Sequence, residues 1–141
     1  MAEQETTISP EARRASFLRS FMIQSVWNNE RMQNVGFAYS LAPMIRDGGG
    51  ETSGEKIARH LEFFSPNPYM SSVLVGAVGR READNINPVE IREFKRGLMG
   101  AFGALGDGLF WSSLKPVATL AGIGLAMGGH VVLAVAVTLV L

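Results

Sequence analysis

An acidic side chain within an apolar, glycine-rich stretch is the feature of this sequence that most suggests chemistry. Asp107 lies in Gly106-Asp107-Gly108-Leu109-Phe110-Trp111. A carboxylate accepts hydrogen bonds from hydroxyl groups while an aromatic ring covers an apolar sugar face, so Asp107 and Trp111 together suit carbohydrate recognition. In a membrane an isolated carboxylate is costly and marks a pathway, a charge pair or a binding site. Gly-Asp-Gly equally suits a tight turn, and the residues alone leave both interpretations open.

A dense run of polar side chains, residues 24–34, is the second candidate. It comprises Gln24, Ser25, Asn28, Glu30, Arg31, Gln33 and Asn34, with Trp27 among them. If buried, each of these groups needs a hydrogen-bond partner, which predicts a packed polar network or a partner interface. Glu30 and Arg31 are adjacent and would point about 100° apart on a helix, so each is predicted to pair elsewhere. Periodicity alone favours a different interpretation, a solvated helix with Trp27 on its core face.

The sequence gives little support to covalent or metal chemistry. His60 could accept a phosphoryl group, but no constellation that would orient it is visible, and a structural histidine is favoured. His130 lies in an apolar segment, where a position at a hinge is favoured over one facing a cavity. Phosphate-loop, metal-ligand and serine-nucleophile patterns are absent from the sequence. We therefore predict no catalytic residue, no metal and no cofactor.

Composition and charge limit the class of protein. Of 141 residues 47% are hydrophobic, which excludes disorder of the whole chain. Thirteen basic and thirteen acidic side chains cancel, so the chain has no net charge to attract nucleic acid. Every charge lies at or before Lys115, and the N-terminus lacks the apolar core of a signal peptide. The absence of cysteine excludes disulfides and thiolate metal sites.

The first part of the chain is predicted to be helical. Residues 1–9 are expected to be disordered, and residues 10–96 to form a helical cytoplasmic or interfacial region. Ser9 and Pro10 predict a first helix that runs to about Tyr39 and is bent or ended by Pro43.

Three further helices are predicted in this region. One spans residues 54–64 and is stopped by Ser65-Pro66-Asn67-Pro68, and one spans residues 69–84. The last begins at Asn87-Pro88 with a cap and a proline at the first helical position.

Residues 97–141 are predicted to be embedded in a membrane. Residues 97–114 are too glycine-rich for a robust isolated helix and predict a broken, re-entrant hairpin. Residues 117–141 would reach roughly 37 Å as one helix, enough to cross the ~30 Å hydrocarbon layer. Gly128-Gly129 permits another interpretation, two short apolar pieces hinged at the glycines. Because the chain stops within apolar sequence, we expect a truncated or split chain.

Three blocks of residues, in order over about residues 17–130, resemble one protein family. The first block is Arg19-Ser20-Phe21, Gln24-Ser25 and Trp27-Asn28-x-Glu30-Arg31-Met32-Gln33-Asn34-x-Gly36; the second is Arg59-His60-Leu61-Glu62-Phe63-Phe64 with Asn67-Pro68-Tyr69; the third is Gly97-Leu98-Met99-Gly100, Gly106-Asp107 and Phe110-Trp111. Together they resemble the N-terminal half of IID components of the mannose-type phosphotransferase system. The sequence departs from the family pattern at Ala101, Gly108 and Lys115.

The resemblance implies an all-α integral membrane subunit in an oligomeric complex of the bacterial inner membrane, with its N-terminal region cytoplasmic. Such a subunit works with a IIC membrane partner to move a hexose inward. A cytoplasmic IIB protein, charged by IIA, phosphorylates the sugar, so no phosphoacceptor is expected in this chain. The resemblance further implies that Asp107 and Trp111 lie near the sugar pathway and that Gln24, Trp27, Asn28, Glu30, Arg31, Gln33 and Asn34 form a polar network or partner interface.

Two other functions stay open at the level of sequence. Family members continue well beyond the region matched here, which allows a non-transporting scaffold or regulatory membrane protein derived from the family. The contrast between a charged first part and an uncharged tail also allows a helical interaction module anchored by residues 97–141.

Overall fold

A computed structural model describes residues 7–49 and 53–140 of the chain. Most of the predicted disordered N-terminus, residues 1–6, lies outside this description. Residues 8 and 9 differ from the prediction because they contact the helical core. Ile8 packs with Ala12, Met44 and Ala83, and the Ser9 N–H donates to Asp47 Oδ2 at 2.6 Å.

Seven α-helices and a π-helical segment account for most of the described residues. They are α1 (Pro10–Ser20), α2 (Asn34–Gly48), α3 (Ser53–Ala58), α4 (Ser71–Ala83), α5 (Pro88–Gly106), the π-helical segment (Asp107–Leu114), α6 (Lys115–Met127) and α7 (Val131–Val140). Short 3₁₀ turns occupy Arg59–Leu61 and Pro68–Met70. The described residues contain no β-strand, so the all-α prediction is confirmed. The chain divides into two compact units, residues 1–103 and 104–141.

Helix α1 begins as predicted but ends much earlier. The Ser9 side chain accepts from the Ala12 N–H at 3.2 Å, and Pro10 occupies the first helical position. The predicted continuation to Tyr39 is wrong, because α1 ends at Ser20 and turns follow to residue 33. Gly36 of α2 lies directly against the Ile23 backbone, where a built Cβ would be 2.0 Å from the carbonyl oxygen. This backbone contact requires the chain to fold back between α1 and α2.

Pro43 lies inside α2 and does not end it. Proline lacks an N–H, so the carbonyl four residues earlier, that of Tyr39, has no intrahelical donor. The Arg19 Nη1 group donates to this carbonyl oxygen at 3.3 Å, and its guanidinium lies over the Tyr39 ring at 4.5 Å. A side chain from α1 thus supplies the hydrogen bond that proline removes.

The core of the first unit forms where α2 meets α4. It contains Ile23, Phe37, Leu41, Ile45, Phe64, Leu74, Val75, Val78 and Ile91. Two glycines allow α2 and α4 to approach each other closely. A Cβ on Gly48 of α2 would be 2.7 Å from the Ala83 Cα, and a Cβ on Gly79 of α4 would be 2.8 Å from the Met44 sulfur. Helix α5 begins as predicted, with the Asn87 side chain accepting from the Val89 N–H at 2.9 Å.

The predicted re-entrant hairpin of residues 97–114 is corrected by the structure. Pro88–Met127 is one helix of 40 residues, and the π-helical segment continues it without a break. Each glycine weakens a helix by about 1 kcal/mol relative to alanine but leaves its hydrogen-bonding groups intact. Backbone hydrogen bonding, the strongest requirement at membrane depth, is met by continuing the helix.

The chain reverses direction at Gly128–His130, where the hinge interpretation predicted it. Gly129 has φ +84°, and the His130 N–H donates to the Leu125 carbonyl oxygen at 2.8 Å. A glycine in the left-handed conformation, followed by an N–H that donates to a carbonyl oxygen five residues earlier, is a usual C-terminal end of an α-helix. Helices α6 and α7 pack through small residues, with Gly122 close to the Thr138 methyl group. The single-span interpretation of residues 117–141 is therefore wrong; Leu141 lies outside the described residues.

One helix in the described part of the chain is long and apolar enough to cross a membrane by length and composition, Pro88–Met127. The second unit exposes large apolar side chains rather than burying them. Leu120 is 69% exposed and Val132 is 83% exposed. Such extensive apolar exposure marks a surface that contacts lipid or another protein.

Candidate functional site

The polar run at residues 24–34 folds into a loop held by hydrogen bonds between two asparagines. Asn28 Nδ2 donates to Asn34 Oδ1 at 2.9 Å, and Asn28 Oδ1 accepts from the Arg31 N–H at 2.8 Å. Asn34 Nδ2 donates to the Leu61 carbonyl oxygen at 2.7 Å. The loop is thereby fixed to the turn that follows α3. Asn28 and Asn34 are thus joined by a hydrogen bond, and the polar network or partner interface of the whole run stays a prediction.

Backbone pairing completes this attachment. The Gln33 N–H donates to the Phe64 carbonyl oxygen at 2.9 Å, and the Phe64 N–H donates to the Arg31 carbonyl oxygen at 3.3 Å. Gln33 Nε2 donates to the Pro66 carbonyl oxygen at 3.3 Å. Met32 adopts φ +58°, an uncommon conformation for its type that the surrounding contacts maintain. The loop is therefore an ordered structure and not a solvated helix.

Other members of the polar run face outward. Gln24, Trp27, Glu30 and Arg31 are all exposed. The predicted separate pairing of Glu30 and Arg31 is wrong, because the loop is not helical and the two contact each other, Arg31 Nε to Glu30 Oε1 at 3.6 Å. Trp27 is 52% exposed and is not on a core face. The loop therefore has a hydrogen-bonded inner side and an outer side available to a partner.

Apolar residues extend this outer surface along α1 and the turns that follow it. Phe17, Leu18, Phe21, Met22 and Val26 are more than half exposed, and Phe21 reaches 72%. The Phe17 and Phe21 rings contact each other edge to face, with centroids 5.2 Å apart. An apolar surface next to polar side chains is typical of a protein or membrane contact.

Asp107 and Trp111 lie about one turn apart in the π-helical segment of the second unit. Both are exposed. Lys115 Nζ lies 3.9 Å from the centroid of the Trp111 ring, a cation–π contact. The Ser113 hydroxyl donates to the Gly108 carbonyl oxygen at 3.0 Å, five residues earlier. π-Helical turns are rare and frequent at functional sites, so their coincidence with the Asp107 motif supports a function here.

A buried ionic cluster in the first unit was not predicted from sequence. Glu82 is fully buried, and Arg59 donates to its carboxylate from Nε at 3.0 Å and from Nη2 at 2.8 Å. His60 Nε2 lies 2.7 Å from Glu82 Oε1. Lys56 Nζ donates to the Glu82 carbonyl oxygen at 3.0 Å and to Asn85 Oδ1 at 2.6 Å. These contacts fasten the end of α3 to the end of α4.

Burial determines the protonation of this cluster. It lowers the pKa of His60 below its usual 6.5, against the opposing hydrogen bond with Glu82. Burial raises the pKa of Glu82, but hydrogen bonds and charges from His60 and Arg59 outweigh it and hold that pKa below 4.5. His60 Nδ1 is buried without a hydrogen-bond partner among the described residues, which fits a neutral ring with its proton on Nε2. His60 is therefore a structural donor.

We expect the folded chain to lose stability on acidification through His60. Its pKa is lowered by folding, so the contribution is complete above pH 6.5 and falls as the unfolded chain protonates below that value. The loss can reach about 1.4 kcal/mol per pH unit. The midpoint of unfolding, compared between about pH 7.5 and about pH 5.5, measures this loss of stability. His60→Gln keeps a donor toward Glu82 and should reduce the difference; an unchanged difference would contradict this role.

A second ionic cluster joins the second sequence block to α5. Lys95 Nζ lies 2.6 Å from Glu62 Oε1, with Arg92 and Arg96 within 3.6 Å of Glu62 Oε2. Burial raises the pKa of Glu62, but Lys95 and the two arginines hold it below 4.5.

Within the described part of the chain, no group of three or more acidic or histidine side chains could hold a metal ion.

Comparison with protein families gives one match over nearly the whole chain. Residues 7–141 match the model for the IID component of the mannose/fructose/sorbose family of the phosphotransferase system. This range includes the loop of residues 24–34, the buried cluster and the Asp107 segment.

Curated relatives agree with this match. The mannose-specific EIID component of Escherichia coli K12 is 39% identical over 124 residues, covering 82% of this chain and 44% of that protein. The fructose permease IID component of Bacillus subtilis is 31% identical over 136 residues, covering 92% of this chain and 50% of that protein. The chain spans about half the length of these relatives.

Solved structures contain the same fold. A chain in the cryo-electron microscopy structure of the mannose transporter ManYZ with microcin E492 matches with a TM-score of 0.85 and 34% identity. The match covers 96% of this chain and 52% of that one. A second structure, described as a membrane protein, matches with a TM-score of 0.75 and 35% identity over 86% of this chain.

Proposed function

This chain belongs to the mannose/fructose/sorbose family of IID components of the phosphotransferase system, and on that premise we propose that it is a membrane subunit of a sugar permease. In this proposal it works with a IIC partner to move a hexose inward. A IIB protein, charged by IIA, phosphorylates the sugar. The similarity of nearly the whole chain to a chain of the mannose transporter structure is the observation that carries the proposal.

The role of this chain is to shape and position the pathway and not to carry phosphate. His60 is buried and hydrogen-bonded to Glu82, where a donor protein could not reach its ring nitrogens. The chain's contribution comes instead from the membrane helix and from the outward side of the loop. This assignment agrees with a permease in which separate cytoplasmic proteins perform the phosphoryl transfer.

We place the chain in the bacterial inner membrane with residues 97–141 in the bilayer and residues 10–96 at its cytoplasmic side. Basic residues precede the apolar part of the long helix, at Arg92, Lys95 and Arg96. Excess lysine and arginine beside a membrane helix favours the cytoplasmic side. The exposed leucines and valines of α6 and α7 support contact with lipid or with the IIC partner.

The loop of residues 24–34 and the exposed side of α1 form the contact with the IIC partner in this proposal. Trp27 and Phe21 offer large apolar area, and aromatic residues dominate the energetics of protein interfaces. Gln24, Glu30 and Arg31 would then lie at the polar rim. The inner asparagines, Asn28 and Asn34, hold the loop in place.

Asp107→Asn is expected to lower sugar uptake by about ten-fold or more while assembly is preserved. The substitution keeps the size of the side chain and removes the charge, and a hydrogen bond to a charged group contributes about 1.5–3 kcal/mol. Uptake of labelled hexose by cells that co-express a IIC subunit is the measurement.

Glu93→Gln is the matched control, because Glu93 is an exposed acid on α5. It should leave uptake unchanged. If the Asp107→Asn chain assembles and supports uptake at the wild-type level, Asp107 does not lie in the sugar pathway.

Co-expression with a tagged IIC subunit of a mannose-type system tests the proposed function as a whole. We expect the chain to be extracted only by detergent, to co-purify with IIC and to support hexose uptake. Co-purification without uptake would favour a non-transporting scaffold. If the chain without residues 97–141 is folded, is water-soluble and still binds a partner, an anchored interaction module would be favoured.

A further inference from the structure

A cavity of about 230 Å³ lies within the second unit, where α6 and α7 pack together. It is lined by Lys115, Ala118 and Thr119 of α6 and by Thr138 of α7. The other residues of the two helices are apolar, so every polar side chain that α6 and α7 contain lines the same space. A few polar groups that converge within apolar surroundings are characteristic of a ligand site.

The ammonium group of Lys115 is available to a ligand. It carries the one formal side-chain charge of residues 108–141, and about 18 Å of apolar helix separates it from Met127 at the end of α6. Within the described chain it is in no ion pair, and its contact is with the Trp111 ring, whose centroid lies 3.9 Å from Nζ. A ring face leaves the N–H donors of the ammonium for other acceptors. A charge within apolar membrane sequence usually marks a charge pair or a substrate pathway.

The two threonines offer acceptors to the same cavity. The Thr119 hydroxyl donates to the Lys115 carbonyl oxygen at 2.8 Å. The Thr138 hydroxyl donates to the carbonyl oxygens of Ala134 and Val135 at 3.1 and 3.0 Å. Each hydroxyl has a single hydrogen, which these bonds to its own helix use, so its oxygen is left with acceptor capacity alone.

This combination of a cationic donor and two hydroxyl acceptors distinguishes among ligands. A carboxylate or a phosphate diester could accept from Lys115 but has no hydrogen to donate to Thr119 and Thr138. A sugar has several hydroxyl groups, each of which both donates and accepts. One hydroxyl can accept from the ammonium while its neighbours donate to the threonine oxygens. The lining therefore fits a neutral polyhydroxylated ligand better than an anion.

The size and position of the cavity narrow the ligand further. Its volume is below the range of about 300–1,000 Å³ that is usual for drug-sized ligands, which favours a single sugar ring over a disaccharide. Asp107, Trp111, Lys115 and Thr119 follow one another at intervals of four residues, and residues four apart lie on the same side of a helix. The cavity thus continues the side of the helix that carries the Asp107 motif.

We propose that this cavity is a monosaccharide subsite on the sugar pathway. Lys115 donates to one sugar hydroxyl, and Thr119 and Thr138 accept from others. Ala118 leaves room for the C–H groups of the ring. This inference rests on the proposed function and deepens it, because it assigns the substrate to single hexoses and adds three contact residues to Asp107 and Trp111.

Equilibrium binding of labelled hexose to the full chain, purified in complex with a IIC subunit, tests the subsite. Labelled mannose and labelled fructose are the probes, each with and without unlabelled maltose as competitor. Lys115→Met should weaken hexose binding by about ten-fold or more, since it removes a hydrogen bond from a charged donor. The KM of uptake in cells should rise with it. Maltose should not displace the hexose.

A pair of substitutions at Thr119 separates the hydroxyl from the packing of the side chain. Thr119→Val keeps the shape and removes the oxygen, so binding should weaken by about two- to ten-fold. Thr119→Ser keeps the oxygen and is the matched control, with binding close to that of the wild-type chain. Neither change should affect co-purification with IIC, because the Thr119 hydroxyl bonds within its own helix.

Several results would overturn the subsite. Wild-type affinity in Lys115→Met and Thr119→Val would exclude contact with the sugar, and equal weakening in Thr119→Val and Thr119→Ser would show an effect of packing. Loss of IIC from Lys115→Met would show that the ammonium pairs with the partner instead. These results leave the proposed function in place if the wild-type complex takes up hexose. A wild-type complex that assembles but neither binds nor takes up hexose would contradict both.

Discussion

Gly36→Ala is expected to destabilise the chain by about 3 kcal/mol. A Cβ at this position would lie 2.0 Å from the Ile23 carbonyl oxygen and 2.6 Å from its carbon. Both are backbone atoms and cannot rotate away, so α2 would have to move from the segment that follows α1. That movement would disturb the core around Phe37 and Leu41.

Denaturant unfolding of the detergent-solubilised chain, followed by far-ultraviolet circular dichroism, measures this effect. Gly76→Ala provides the control, because Gly76 lies within α4 and an added Cβ meets nothing within 4 Å. Alanine there should raise stability by up to about 1 kcal/mol through helix propensity. Equal stability of Gly36→Ala and the wild-type chain would contradict the close contact between α2 and Ile23.

Glu82→Gln is expected to destabilise the chain by about 3–5 kcal/mol. The substitution removes the charge that compensates Arg59, and it places an amide NH₂ at one of the two oxygen positions, each of which accepts from Arg59. Breaking a buried ion pair from one side leaves an unpaired buried charge, which costs more than the pair contributes. Because the cluster joins α3 to α4, the loss should appear in the unfolding of the whole first unit.

Glu90→Gln is the matched control in the same unfolding experiment. Glu90 pairs with Arg81 Nη1 at 3.1 Å, but its side chain is 61% exposed. Exposed ion pairs contribute about 0–1 kcal/mol, so this variant should remain close to the wild-type chain. Similar losses in both variants would show that Glu82 is not the centre of a buried cluster.

Features set by neighbouring residues were predictable from the sequence. The starts of α1 and α5 follow from Ser9-Pro10 and Asn87-Pro88, because capping uses side chains within three positions. The reversal at Gly128–Gly129 follows from the conformational freedom of glycine at a helix end. The all-α class follows from the same local signals.

Features that depend on distant residues were not predictable. Pro43 is tolerated within α2 because Arg19, far away in sequence, donates to the Tyr39 carbonyl oxygen. The early end of α1 depends on contact between Gly36 and Ile23, which periodicity cannot indicate. Residues 97–114 continue a helix because backbone hydrogen bonding outweighs the low helix propensity of glycine.

The same difference between local and distant partners determines which polar contacts the sequence could indicate. The polar run identified Asn28 and Asn34, whose partners are mostly local, and the structure brings them together. Glu82 was missed because its partners, Arg59 and His60, lie more than twenty positions earlier. A charged residue within a helix of small and apolar residues was the available signal.

In the proposed function the apolar second unit lies in the membrane of a permease complex. The chain has no cysteine, so single cysteines report accessibility without background. Leu120→Cys lies in the exposed apolar part of α6, and Glu55→Cys lies on the exposed side of α3. A water-soluble maleimide needs a thiolate in contact with water.

Labelling of both cysteines in opened membrane fragments from cells that co-express the IIC subunit tests the claim most directly. The Glu55→Cys variant should be labelled rapidly. The Leu120→Cys variant should react at least about ten-fold more slowly until denaturing detergent is added, because lipid or the IIC partner excludes the water that the thiolate requires. Equal labelling rates before detergent would contradict a membrane location for residues 97–141.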